Sequence, residues 1–442
     1  MATTYLSRTS GTPTDSKKTT LSVWLKRSGL GTGTFFGGGA DSNNMTFINF
    51  NPNGKIFLQS SSSGSNTLVF VTTQVFKDTN AWYNIIVAID TTQGTASNRV
   101  KLYVNGVQVT VFDVETYPSQ NLELEWNKSG KTLEIGKYLF QSTYSVYDGS
   151  MSHFNFIDGT QELPTVFGET DSTTGEWKIK TSLSVTYGNN GFFILKDGNT
   201  ITDQSGNSNN WTLAAGTLTN TKDCPDNNFA TWNGLIGYTD TLTNGNTTVT
   251  RATGSWRSAF SSLPLPSTGK FYCEFKISTG TNCRIGIADD SFDNCIDVQN
   301  RGLAGEMGST ANGIAYIDNG NYQQNPGTYG SWGASFTSSN VIGMAVDMTN
   351  MKLYFSKDGV YQNSGDPTSG ATGTGAFSIT ATTGKYFAGV SINASGCHVN
   401  FGNGTFGTTA ITSAGTPGST PGEFEYDVPT GYQPLTTKGL NA

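Results

Sequence analysis

The sequence predicts an all-β protein with two antiparallel β-sandwiches. Two stretches, Ile85–Val109 and Val341–Tyr361, share one pattern: an apolar run, a polar break, a second apolar run and a Gly-containing dipeptide. The dipeptides are Asn105-Gly106 and Asp358-Gly359. Because a type I′ turn needs positive φ at both central residues, either dipeptide between β-formers predicts a hairpin. The same antiparallel unit is therefore expected in both halves of the chain.

The composition supports this fold class. Only 13% of the 442 residues are charged, whereas 54 are glycine. This balance is typical of short strands joined by turns and gives long helices little support. A chain of this length is expected to form about two to three domains.

Charge and hydropathy argue against two classes of partner. A net charge of −7 and a pI near 4.9 oppose binding to nucleic acid, which needs a basic surface. The sequence has no run of about 18 apolar residues that would predict a transmembrane helix. Its first residues also lack the apolar core of a secretory signal. We therefore expect synthesis in a cytoplasm, no nucleic-acid partner and no membrane insertion.

The cysteines predict reduced thiols rather than a disulfide framework. All five lie in the second half of the chain, and their number is odd without paired spacing. They are Cys224, Cys273, Cys283, Cys295 and Cys397. Because the only histidines are His153 and His398, a histidine-based zinc or iron site is not expected.

Residues 1–160 are predicted to form the first sandwich. Leu21–Lys26 alternates apolar and polar residues as a half-buried strand does. Phe35-Phe36 before Gly37–Gly39 predicts a strand that ends in a tight bend, with or without a β-bulge. Further short strands are predicted at Met45–Phe50, Lys55–Gln59 and Leu68–Thr72.

Residues 161–254 give a weaker strand signal and are predicted to form a connecting module. Ser184–Leu195 is consistent with two strands about a Gly-rich turn. Trp177, Trp211 and Trp232 are too large and apolar for a freely mobile tether. We therefore expect this module to pack on one or both sandwiches.

Residues 255–442 are predicted to form the second sandwich. Its strands are expected at Lys270–Ile277, Cys283–Ala288, Gly313–Ile317, the hairpin Val341–Tyr361, Tyr386–Val390 and Ser391–Phe401. A stretch rich in Gly, Thr, Ser and Pro then leads to Phe424–Leu435, which regains aromatic residues. We expect this last segment to dock back on the domain.

Short motifs give each sandwich a resemblance to a known family. The motif residues are Trp82, Asp90 and Leu102–Gly106 in the first half, and Ile342-Gly343, Asp347 and Leu353–Gly359 in the second. The first set resembles the laminin G-type branch of the concanavalin A-like jelly rolls, and the second resembles a SPRY domain. The first resemblance implies that Leu133–Gly136 and Gly149–Ile157 are closing strands that return beside the first strand.

Two further segments suggest a biological context. Asp203–Trp211 and Asp226–Trp232 are similar to linking segments in structural proteins of tailed bacteriophages, chiefly marine ones. The resemblance implies a non-enzymatic virion protein whose partners are other virion proteins and a host-surface glycan or protein. Tail or capsid location stays open, as does assembly into a homo-oligomer. The alternatives are a secreted carbohydrate-binding adhesin and a polysaccharide hydrolase.

The hydrolase alternative depends on paired carboxylates. Glycosidases of the concanavalin A-like class place alternating carboxylates on one strand, so that both face one cleft. The nearest match here is Glu123 and Glu125, with no third carboxylate at the required position. We expect both to be solvent-facing residues of an alternating strand and predict no catalytic residues.

A sugar site needs an aromatic ring to stack on the pyranose and amides to bind its hydroxyls. The predicted loop Ala315–Ala334 combines these side chains, and in SPRY domains the loops at one edge of the sandwich form the binding face. The candidate ligand-binding residues are Tyr316, Asn319, Tyr322, Gln324, Tyr329 and Trp332. The alternative is that Tyr316 and Trp332 belong to the core.

The resemblance implies that calcium is a candidate ligand, since laminin G-type domains often bind it at one rim. Asp41 and Asp148 are the candidate ligands, and Asp90 and Asp158 also lie at predicted loop edges. The alternative is that these side chains cap turns. No other cofactor is predicted.

Overall fold

A computed structural model of the protein describes residues 4–137, 140, 146–196, 198–235, 241–252, 254, 256–290, 306–325, 327–416 and 421–437. The chain divides into two compact units, Met1–Asn220 and Thr221–Ala442. Both units are built from antiparallel sheets, so the all-β prediction is confirmed. The described 3-10 turns are Ala96–Asn98, Glu125–Asn127, Pro164–Val166, Gln362–Ser364 and Gly370–Thr372.

The first unit is a sandwich of an eight-stranded and a six-stranded sheet. Its strands are β1 (Tyr5–Thr9), β2 (Lys18–Arg27), β3 (Gly33–Asp41), β4 (Asn44–Phe50), β5 (Ile56–Ser62), β6 (Ser65–Thr72), β7 (Trp82–Asp90), β8 (Val100–Val104), β9 (Val107–Gln108), β10 (Phe112–Thr116), β11 (Thr132–Ile135), β12 (Gly149–Asp158), β13 (Gly168–Thr170), β14 (Trp177–Ile179), β15 (Phe192–Ile194) and β16 (Thr212–Ala215). The larger sheet has the order β10-β6-β5-β4-β3-β11-β1-β16 and the smaller β15-β12-β2-β7-β8-β9, while β13 pairs with β14.

The core of the first unit lies between the two sheets and is centred on Phe36. Its ring lies 5.3 Å from Trp126, 5.5 Å from Phe154 and 5.6 Å from Phe156, measured between ring centroids. The predicted closing strands are confirmed, because β11 pairs with β1 and β12 pairs with β2.

The glycines of β3 do not end the strand, contrary to the prediction, but the predicted irregularity is present beside them. β3 continues to Asp41, with register shifts on either side of the glycine run. A Cβ on Gly38 would stand 2.5 Å from the side chain of Leu133 and 3.0 Å from the backbone of Trp126. Glycine is therefore required there for close packing within the sandwich rather than for a turn.

The second unit is a sandwich of a nine-stranded and a six-stranded sheet. Its strands are β17 (Thr241–Thr243), β18 (Thr248–Thr250), β19 (Arg257–Phe260), β20 (Lys270–Thr279), β21 (Cys283–Asp289), β22 (Ile314–Ile317), β23 (Asn321–Gln324), β24 (Thr328–Ser331), β25 (Ile342–Asp347), β26 (Lys352–Lys357), β27 (Val360–Tyr361), β28 (Phe377–Ser378), β29 (Tyr386–Ile392), β30 (Gly396–Asn400), β31 (Thr405–Phe406), β32 (Thr409–Ala410) and β33 (Gln433–Pro434). The larger sheet has the path β17-β18-β30-β20-β25-β26-β27, with β28 on β26 and β33 on β20; the smaller is β19-β29-β21-β22-β23-β24, and β31 pairs with β32.

Both predicted hairpins are confirmed. Asn105 and Gly106 have φ of 48° and 77°, and Asp358 and Gly359 have φ of 51° and 80°. In each case the flanking residues pair directly across the turn, in the β8–β9 and β26–β27 hairpins. These turns form because their determinants are local and need no distant partner.

The segment 161–254 is shared between the two units. β15 pairs with β12 and β16 pairs with β1, so residues up to 220 complete the first sandwich. β18 pairs with β30 and therefore extends the nine-stranded sheet of the second. Within the Ser184–Leu195 stretch, only Phe192–Ile194 is a strand.

The C-terminal segment docks on the second unit, as predicted. Phe424 and Tyr432 are buried against Tyr272, Ala345 and Tyr354 on the outer face of the nine-stranded sheet. β33 pairs with β20 in parallel and fixes the end of this segment.

Candidate functional site

The stretch predicted to be a binding loop is a three-stranded meander. β22, β23 and β24 lie in succession at the edge of the six-stranded sheet of the second unit. The turn before β23 contains Gly320 with φ of 90°, and the turn after it contains Asn325 with φ of 59°. Residues of a strand alternate between its two faces, so this meander sends the predicted site residues to opposite sides of the sheet.

Four of the predicted residues serve packing. Tyr316 is fully buried, and its hydroxyl donates a hydrogen bond to the carbonyl of Ala334. Trp332 and Tyr322 pack on Phe377, with ring centroids 4.7 Å and 5.3 Å away. The fourth residue, Gln324, donates from Nε2 to the carbonyl of Ser378 at 3.1 Å.

Tyr329 lies on the opposite, outer face and is 52% exposed. Its hydroxyl accepts hydrogen bonds from Asn319 Nδ2 at 3.2 Å and Asn321 Nδ2 at 3.0 Å. These two bonds lower the pKa of Tyr329, because they stabilise the phenolate. In the neutral state the hydroxyl proton stays available for a further acceptor. An exposed ring with an oriented hydroxyl is suited to contact a polar ligand.

A partly buried arginine, Arg284, supports this surface from the same face. Gln323 is the register partner of Tyr329, and its Oε1 accepts a hydrogen bond from Arg284 Nη1. Arg284 also forms an ion pair with Glu306 at 2.8 Å, and its guanidinium lies 4.4 Å from the centre of the Trp256 ring. Burial lowers the pKa of Arg284, but a guanidinium stays charged in proteins.

The local charge favours a neutral ligand. Arg284 is paired with Glu306, and Asp318 lies close enough to act electrostatically on Tyr329. Among the described residues named here, two carboxylates face one guanidinium, so an anionic ligand would meet repulsion. We call the exposed surface formed by Asn319, Asn321, Gln323, Tyr329 and Glu306 the outer-face cluster.

Sequence reasoning missed the supporting residues of this cluster. Arg284 occurs in an ordinary strand pattern, where Cys283 and Ile285 face the core. The alternation alone indicates that Arg284 faces outward. Its partners Trp256, Glu306 and Gln323 come from separate segments, so no local motif links them.

The carboxylates considered for hydrolysis are not paired. Glu123 is exposed and accepts a hydrogen bond from Ser16 Oγ. Glu125, expected to face solvent, is instead 3% exposed and lies in a 3-10 turn rather than a strand. It forms ion pairs with Lys128 and with Lys131, the latter at 3.0 Å. The prediction of an alternating strand here was wrong, because the side chains on both sides of Glu125 are buried in the core.

The predicted calcium ligands lie in the first unit. Asp41 Oδ1 accepts the backbone N–H groups of Asn43 and Asn44 at 2.8 Å and 3.0 Å, as a turn cap does. The Asp148 side chain packs over Gly29, where an added Cβ would stand 2.8 Å from its Oδ2. Asp158 accepts four donors, including the backbone N–H of Thr14. The described residues contain no group of three or more His, Cys, Asp or Glu that could hold a metal ion.

Comparison with known families supports the division into two domain types. Residues 2–159 match the Laminin_G_3 family, described as the concanavalin A-like lectin/glucanases superfamily. Residues 270–404 match the SPRY domain. The first unit therefore contains a laminin G-type, concanavalin A-like domain, and the second contains a SPRY domain. These domain types fit a role in binding.

Solved structures resemble parts of the chain. A human SPRY domain shares 15% identity and covers 36% of this chain and 93% of its own, with a TM-score of 0.26. A pentraxin from Limulus polyphemus shares 18% identity, and the match covers 36% of this chain and 71% of the pentraxin chain, with a TM-score of 0.27. A protein from Bacteroides ovatus, for which carbohydrate binding has been suggested, shares 15% identity. The match covers 50% of this chain and 58% of the Bacteroides chain, with a TM-score of 0.31.

No curated protein sequence matches the chain. Among the described residues, no helix is both long and apolar enough to span a membrane.

Proposed function

We propose that this protein is a non-enzymatic binding protein whose SPRY domain recognises a neutral saccharide through the outer-face cluster. The observation that carries the proposal is Tyr329, an exposed ring whose hydroxyl is held by two asparagine amides. The ring offers a flat apolar surface to a pyranose, and the neighbouring amides and hydroxyl offer partners to its hydroxyl groups.

The wider role that we propose is attachment of a virion to a host-surface glycan. It rests on the similarity of Asp203–Trp211 and Asp226–Trp232 to segments of phage structural proteins. In the first unit the Asp203 carboxylate accepts the backbone N–H groups of Phe193, Ser205 and Asn209. The Asp203 carboxylate therefore has a structural use, and our proposal places the ligand contacts in the SPRY domain instead.

The proposal is tested with Tyr329→Ala in the full-length chain. The wild type is first applied to an array of neutral and acidic glycans, and the affinity for the best neutral ligand is measured by calorimetry. Removing an exposed stacking ring costs about 1 to 3 kcal/mol, so we expect affinity to fall roughly 5- to 150-fold with unchanged Tm. Val360→Ala, which also removes an exposed side chain (68% exposed), is the matched control and keeps full affinity.

Three results would contradict the proposal. If the wild-type protein binds no neutral glycan on the array, the ligand is not a neutral saccharide. If the Tyr329→Ala variant retains wild-type affinity, the ligand does not bind at the outer-face cluster. Release of reducing sugar from a bound polysaccharide would contradict the non-enzymatic role and favour the hydrolase alternative.

A further inference from the structure

Two neighbouring turns join the sheets of the second sandwich at the same end. β20 belongs to the nine-stranded sheet, and the chain passes through residues 280–282 into β21 of the six-stranded sheet. β29 belongs to the six-stranded sheet, and the chain returns through residues 393–395 into β30 of the nine-stranded sheet. Because β20 pairs with β30 and β21 pairs with β29, the two crossings lie side by side. Opposing sheets are close together where a strand passes from one to the other.

Each crossing is followed at once by a cysteine that faces the core. Cys283 is the first residue of β21 and is paired with Ile392, the last residue of β29. Cys397 is the second residue of β30 and is paired with Ile277 near the end of β20. Both side chains are 0% exposed and belong to the same core cluster. The topology therefore places two thiols from opposite sheets against each other.

The chemistry of the pair agrees with this placement. The neighbouring thiol of Cys397, followed by burial, raises the pKa of Cys283 well above its ordinary value. Cys397 Sγ also lies 3.3 Å from the carbonyl of His398. Both are free thiols in this structure, and each sulfur already has the other as a neighbour.

We propose that Cys283 and Cys397 form a disulfide between the two sheets when the chain folds in the presence of a thiol oxidant. The oxidant is a disulfide, such as oxidised glutathione or the active-site disulfide of an oxidoreductase. One cysteine thiolate attacks a sulfur of that disulfide and releases one oxidant thiolate, which leaves a mixed disulfide. The second cysteine thiolate then attacks the protein sulfur of the mixed disulfide and releases the other oxidant thiolate. The two thiols lose two electrons and two protons, and the oxidant is reduced to two thiols.

Burial determines when this reaction takes place. Because both thiols are fully enclosed, an oxidant reaches them during folding or during local opening of the corner, not in the closed native state. Native reduced protein is therefore expected to resist oxidation, whereas refolding protein is expected to cross-link. The bond would join residues far apart in sequence, and such a long closed loop gives a large loss of unfolded-state entropy.

The test compares refolding of the full-length chain with and without oxidised glutathione. After free thiols are blocked, peptide mapping by mass spectrometry identifies the linked cysteines. We expect Cys283–Cys397 to be the dominant pair and the Tm of the second unit to rise by roughly 5 to 15 °C, reversibly on reduction. Cys273→Ser is the matched control, since Cys273 is buried in the same core but lies within β20 opposite Met344, away from the two crossings. This variant keeps the cross-link, and Cys397→Ala loses it.

Two results would overturn the proposal. One is the absence of a linked Cys283–Cys397 peptide after the wild-type chain has refolded in oxidant. This measurement does not depend on the folding of any variant. The other is a cross-linked form whose Tm does not exceed that of the reduced form, because such a bond would strain the corner instead of joining two thiols that the fold already places together.

Discussion

Glu274 on β20 accepts a hydrogen bond from the backbone N–H of Tyr426 at 2.9 Å, so a buried carboxylate holds the C-terminal segment on the nine-stranded sheet. The same carboxylate accepts the backbone N–H of Glu425 at 2.8 Å and Nδ2 of Asn400 at 3.2 Å. The hydroxyl of Tyr272 lies 3.3 Å away. Glu274 itself is fully buried, so these donors replace the water that its side chain loses on folding.

Replacing Glu274 with Ala is expected to destabilise the second unit by about 2 to 4 kcal/mol, because several buried donors would lose their shared acceptor. The free energy of unfolding measured in urea checks this value. Glu169→Gln is the control, since Glu169 forms an exposed ion pair with Lys180 in the first unit and its loss is expected to cost less than about 1 kcal/mol. Equal stability of the Glu274→Ala variant and wild type would show that the segment is held by its apolar contacts alone.

Glu134 on β11 predicts a pH dependence in the first unit. Its side chain is buried, and Oε2 has no hydrogen-bond partner among the described residues. Burial raises the pKa of Glu134 from 4.5 to about 7, while Lys137 lowers it. Between these two pH values the folded protein binds more protons than the unfolded chain, so stability falls as pH rises from about 4.5 to about 7.

The measurement is the Tm of the first unit at pH 5 and at pH 8, for wild type and Glu134→Gln. We expect a smaller fall in the variant, because glutamine stays neutral at both values. An identical fall in the two proteins would show that Glu134 does not titrate in this window.

The features that could be predicted from sequence are those with local determinants. The hairpins at Asn105-Gly106 and Asp358-Gly359 depend on two adjacent residues, and both are confirmed. In contrast, Leu122–Trp126 alternates like a strand, but Glu125 begins a 3-10 turn and is buried with Lys128 and Lys131 as ion-pair partners. An alternating pattern cannot distinguish an exposed carboxylate from one whose partners come from the next turn.

The candidate site could be predicted only in part, because its contacts also depend on residues that are distant in sequence. Aromatic and amide residues between Tyr316 and Trp332 marked the meander that carries the candidate site, but they did not reveal which face each side chain occupies. That depends on register: Gln323 pairs with Tyr329, whereas Tyr322 pairs with Gly330. Arg284 could not be connected to this surface before the order β21-β22-β23-β24 was known.

Replacing Gly106 is expected to lower the stability of the first unit. It has φ of 77°, and an added Cβ would stand 2.5 Å from the ring of Trp177, whose Nε1 donates to Asn84 at 3.1 Å. Gly130 has a similar φ of 72° but no atom within 4 Å of an added Cβ. Gly106→Ala should therefore lower stability by about 1 to 3 kcal/mol more than Gly130→Ala. Equal losses in urea unfolding would assign the whole effect to backbone strain.

Tyr322 and Tyr329 belong to one meander, but truncating Tyr322 is expected to lower stability far more than truncating Tyr329. Tyr322 packs on Phe377 and lies against Gly330, where an added Cβ would stand 3.1 Å from its ring. Tyr322→Ala removes part of the core and should lower stability by about 2 to 4 kcal/mol. Tyr329→Ala removes an exposed ring and should change stability by less than about 0.5 kcal/mol. Urea unfolding of both variants checks these values, and a large loss on truncating Tyr329 would assign its ring to the core and remove the main support for the outer-face cluster as a ligand site.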